Sequence, residues 1–103
     1  MAKTYNVYGS VKEWLKSNRL QIHIDILEVA EDSTDTDLLV FQLRSHTGLT
    51  SCLLKGPDAI VQSLLKCEKA FVELEEYEYA ARARDSGLYW KEKERIYKEK
   101  SQV

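Results

Sequence analysis

The segment from Leu38 to Lys55 constrains the fold more than any other part of the chain. Leu39, Phe41 and Leu43 alternate with Gln42 and Arg44, the period of a strand buried on one face. Ser45-His46-Thr47-Gly48 then forms a tight turn in which Gly48 is free to take positive φ, and Leu49 to Lys55 returns as the partner strand. The pair makes a hairpin, which is marginal alone in water and is completed by further strands or a packed helix.

The rest of the chain is read for those strands. Arg19 to Val29 places Leu20, Ile22, Ile24 and Ile26 on one side and Gln21, His23 and Asp25 on the other, which predicts a strand. Thr4 to Gly9 is rich in strand formers. After it two readings stand. Ser10-Val11-Lys12-Glu13 matches a capping box leading into a helix with Val11, Trp14 and Leu15, while Asn6 to Lys12 also reads as one strand bent at Gly9. Gly56-Pro57-Asp58 ends the hairpin and starts a helix, with Ile60, Val61, Leu64 and Leu65 as its stripe, running to about Cys67. Ala70, Val72 and Leu74 are apolar at even positions and Tyr77, Tyr79, Ala81 and Ala83 at odd ones. This predicts a long strand over 70–83 with a β-bulge at Glu75-Glu76. Arg84 to Gly87 reads as a turn and Leu88 to Lys91 as a last strand. The charged tail of about 92–103 is a short helix or frayed, with Ile96 and Tyr97 as its large apolar anchors.

A chain of 103 residues holds one domain, 1–103, and its 44% hydrophobic content is enough to fold it. The strand order, with one principal helix before the last two strands, predicts a mainly β fold: a small antiparallel Greek-key barrel. The Gly9 bend and the Glu75-Glu76 slip supply the irregularities that closing a barrel needs.

Phe41-Gln42-Leu43-Arg44-Ser45-His46-Thr47-Gly48-Leu49-Thr50 resembles the strand-turn-strand of OB domains that bind nucleic acid. Asn6-Val7-Tyr8-Gly9-Ser10-Val11-Lys12, together with Leu49 to Leu54, is similar to the first OB domain of telomere end-protection proteins. The resemblance covers about half the chain in short pieces. It implies an OB-like barrel and favours the strand reading at the N-terminus.

No phosphate-binding glycine loop and no nucleophile motif occurs, so the chain is expected to be no enzyme. His23 and His46 read as surface side chains. The glutamates at 73, 75, 76 and 78 read as a solvated face, and the acidic loop 31–37 lacks the glycine and spacing of an EF-hand. Cys52 and Cys67 have no metal-site spacing and read as small buried hydrophobes, so no cofactor is expected. Absence of a long apolar run and of a secretion signal predicts an intracellular chain with no membrane contact.

Ten aromatics are interspersed with basic residues although the net charge is −2. Bases stack on such rings and cations track phosphates. Single-stranded DNA or RNA is therefore the expected ligand, held by Arg44, Lys55, Arg82, Arg84, Tyr89, Trp90 and Lys91. The alternative is an assembly subunit that contacts a protein partner, or another copy, through an edge strand or the C-terminal tail.

Overall fold

In the computed structural model, which describes residues 3–101, the chain is an open three-stranded sheet with helices packed on one side. Strand β1 is Lys3–Asn6. Helices α1 (Val11–Ser17) and α2 (Arg19–Asp32) follow, then strands β2 (Asp37–Ser45) and β3 (Gly48–Lys55), and finally helices α3 (Gly56–Glu73) and α4 (Tyr77–Ser101). The order in the sheet is β1-β2-β3, with β1 parallel and β3 antiparallel to β2. The mainly β fold and the OB-like barrel are thus both overturned. Most of the described residues are helical, and β1 and β3 are open edges rather than partners in a closed ring.

The hairpin forms where the sequence placed it. Ser45 pairs with Gly48 across the His46-Thr47 turn, and Gly48 has φ +125°, a region open to glycine. Its register departs in one respect. A β-bulge between Leu39 and Phe41 lets Val40 and Phe41 both turn inward, both buried, and leaves Leu39 on the outer face. This bulge replaces the bend at Gly9 and the slip at Glu75-Glu76 as the irregularity of the sheet.

At the N-terminus the capping box prevails. Ser10 Oγ accepts from the Glu13 amide at 3.3 Å, and a helix rather than a bent strand begins at Val11. Asn18 separates α1 from α2, its side-chain amide donating to the Trp14 carbonyl at 2.9 Å.

Arg19–Val29 is helical, not a strand. Alternation misleads here because α2 is enclosed on several sides, packing against α3, β2 and α4. Ile26, Leu27 and Ala30 are buried and Leu20, Ile22 and Ile24 half-buried, so the apolar arc is too wide to show one clean stripe. Its polar stripe, Gln21, Asp25, Glu28 and Asp32, does keep helical spacing.

The long strand over 70–83 is the end of α3, a turn and the start of α4. Helix α3 begins at the Gly56-Pro57 signal and runs past Cys67 because Cys67, Ala70 and Phe71 continue its buried stripe. It closes in a Schellman turn: the Glu76 amide donates to Phe71 O at 2.7 Å and the Glu75 amide to Val72 O at 3.1 Å, with Glu75 at φ 59°. The change of phase at Glu75-Glu76 is therefore a helix terminus rather than a bulge. Residues 84–87 and 88–91, read as turn and strand, lie inside α4. The tail stays helical to Ser101, with residues 102–103 outside the described range.

The core sits between sheet and helices. Val40, Phe41 and Leu43 from β2 meet Leu27 and Ala30 from α2, Ile60, Leu64 and Phe71 from α3, and Trp90 from α4. Among the described residues no helix is long and apolar enough to cross a membrane.

Candidate functional site

The polar stripe of α2 borders a concavity. Lys3, Asp25, Glu28, Asp32, Asp35 and Asp37, with Val29 and Leu38 to Val40, surround a groove of about 500 Å³ between α2 and the start of β2. Asp25 is its one buried carboxylate. It accepts from Tyr5 Oη at 2.5 Å, Gln21 Nε2 at 2.8 Å and Lys3 Nζ at 3.1 Å. Burial and this bond to Asp25 push the Tyr5 hydroxyl up to about 12. Through these bonds the carboxylate ties β1 to α2. Among the described residues no three metal-ligating side chains come together.

Burial raises both thiols above their ordinary value, and of the two only Cys67 is buried as expected, Cys52 being half-buried. Cys67 is fully buried, with Sγ 3.4 Å from His23 Nδ1. Loss of solvent pushes its thiol up to about 12 and drives His23 down, away from the thiolate–imidazolium state that a nucleophile needs. His23 is a half-buried helical residue here, not the surface strand residue the alternation implied.

The residues expected to hold nucleic acid fall into separate groups. Trp90 is fully buried, and its indole N–H donates to the Ala30 carbonyl at 3.0 Å. Arg82 is committed to Glu31 by two hydrogen bonds. The ring of Tyr89 is exposed, with the Lys93 ammonium 5.0 Å from its centroid. At 3.6 residues per turn, Arg84 and Lys91 share one side of α4 and Arg82 and Tyr89 share the opposite one. Arg44 and Lys55 lie on the sheet, on the face away from the helices.

That outer face is the surface the sequence reading missed. Leu39 and Leu53 are direct cross-strand partners and both are exposed, at 38% and 53%. Leu49 follows at 55%, opposite Arg44. Thr4, Gln42 and Ser51 fill the positions between: the Thr4 hydroxyl donates to Gln42 Oε1, and Gln42 Nε2 donates to Ser51 Oγ. Among the described residues no further strand pairs beyond β3, so its outer edge is open. A signal was present: Leu49 and Leu53 share a phase in β3, while Cys52 and Leu54 occupy the other, so β3 is apolar on both faces. Placing Leu39 on the core side hid the match.

Comparison with protein-family models, with curated proteins and with solved structures finds no match to this chain.

Proposed function

We propose that the chain is a non-enzymatic protein-interaction module that docks a partner on the uncovered face and free edge of its sheet. The observation that carries this is the outer face itself. Three leucines stand exposed beside the open edge of β3, where a solitary soluble domain usually places charge, proline or a covering helix. Lys55 is the only charged side chain of β3. Single-stranded nucleic acid draws less support from the geometry. Trp90 offers no ring face, Arg82 is engaged by Glu31, and the remaining cations of the expected set are divided between one side of α4 and the sheet.

The test is site-specific photo-cross-linking in the cells that produce the chain. A photoreactive side chain at position 49 or 53 should give an adduct of discrete mass. The same group at Gln62 or Lys91, exposed on the helices, should not. Adducts absent from the sheet positions, or equal at all four, would overturn the proposal.

A further inference from the structure

Resting on that reading, we infer that the partner presents an extended segment, apolar at its centre and acidic at its ends, which adds as a fourth strand to the open edge of β3. The charge of the outer face selects this occupant. Arg44 stands at the hairpin end, opposite Leu49, and Lys55 at the far end of β3; both are exposed and neither has an ion-pair partner among the described residues. The carboxylate opposite Lys55, Asp37, accepts from the Gly56 amide at 3.0 Å and makes no ion pair with Lys55. The face is thus a row of leucines with an uncommitted cation near each end.

A strand added to an open edge gains main-chain hydrogen bonds along its length, and its alternate side chains read the face beside it. On the outer face those side chains lie beside Lys55, Leu53, Ser51 and Leu49 in turn. The complementary order is acid, apolar, small polar, apolar, with a second acid within reach of Arg44. A second copy fits poorly. Pairing β3 with itself antiparallel about Ser51 brings Lys55 of each copy to the hairpin end of the other, beside Arg44, so cation meets cation.

The probe is the fluorescein-labelled peptide Glu-Thr-Val-Thr-Ser-Thr-Val-Thr-Glu, whose palindromic order suits either strand direction. Its anisotropy is followed with the full chain at low salt. Replacing both glutamates by lysine should weaken binding at least tenfold, roughly the effect of one well-placed charge pair. N-methylation of alternate amides should abolish binding in one phase and spare it in the other, because only one set of amides faces β3. The double variant Arg44→Glu with Lys55→Glu should reverse the preference, so that the lysine peptide binds more tightly than the glutamate peptide. Both sites are exposed, so its helicity and unfolding midpoint should match the parent and exclude misfolding as the cause.

Equal binding of the two peptides, indifference to N-methylation in both phases, or no binding at about 1 mM peptide would overturn the inference. So would a doubled mass without peptide that Leu53→Lys abolishes, which would assign the edge to a second copy. Tighter binding of a fluorescent oligothymidylate, lost in the same double variant, would assign the cations to nucleic acid. If cross-links from positions 49 and 53 persist while the peptide fails, the interaction face stands and only its acidic partner falls.

Discussion

At the scale of single residues, Glu75 is a conformational misfit and Asp25 anchors a polar tie. Glu75 holds φ 59° at the end of α3, a left-handed conformation in which a Cβ crowds the following carbonyl. Glu75→Gly should therefore raise stability by about 0.5–1 kcal/mol, seen as a higher urea midpoint at unchanged slope. Glu76→Gly, whose φ is not positive, should gain nothing. The polar tie joins Tyr5 to Asp25. The Tyr5 hydroxyl is held protonated up to about 12, above its ordinary value near 10. The unfolded chain then loses this proton first, so the contribution is complete below pH 10 and is lost as pH climbs through about 12. Tyr5→Phe should flatten the alkaline limb of stability against pH between those values. Cys67, also raised to about 12, adds its own decline from about 9 upward, so the limb should flatten without vanishing. Urea midpoints at pH 8, 10 and 11.5 check the prediction.

At the scale of elements, α3 and α4 form a helical hairpin whose contact is set by small residues. Ala70 on α3 and Ala80, Ala83 and Gly87 on α4 are all buried. Gly87 lies in mid-helix with an open approach: a Cβ built there meets Leu64 Cβ at 4.0 Å, ordinary van der Waals contact. Helix propensity then decides the outcome, and Gly87→Ala should stabilise by up to about 1 kcal/mol, read as a higher thermal midpoint. A lower midpoint would show that the helices are closer than this distance implies. Past Trp90 the helix changes character. Arg95 pairs with Glu92 and Glu99, and Lys98 with Glu94, one turn apart on an exposed surface. Such pairs contribute only a few tenths of a kcal/mol each and weaken with salt.

At the scale of the whole molecule, Trp90 joins the last helix to the second. It lies on α4, is fully buried, and donates to a carbonyl of α2 at 3.0 Å. Trp90→Ala should cost about 3–5 kcal/mol through the cavity and the orphaned Ala30 carbonyl, enough to unfold much of a small domain at ambient temperature. Trp14→Ala, at a half-buried position against Tyr5 and Phe41, should cost less. Circular dichroism and urea unfolding of the two variants test the order. The same architecture explains why the sheet can serve as a surface: α2 and α3 supply the inner face with its core, leaving the outer face free.

Several features were legible in the sequence because short-range chemistry decides them. The hairpin over Leu38 to Lys55 follows from alternation around a glycine-containing turn, and the start of α3 from Gly56-Pro57-Asp58. Ser10 and Glu13 likewise cap α1 locally, although the bent-strand reading competed there. The tertiary structure decided the rest wherever more than one side of an element is buried. Helix α2 reads as a strand because α3, α4 and β2 enclose it, and only its polar stripe from Gln21 to Asp32 keeps the helical period. Residues 70–83 read as one bulged strand because a helix end and a helix start meet there, and the left-handed turn at Glu75 carries no glycine to mark it. The candidate site divides the same way. Exposure of Leu39 depends on a one-residue bulge, and burial of Trp90 on α4 packing over α2. Alternation along one strand specifies two faces, but which of them meets the core is settled only by the elements that pack on it.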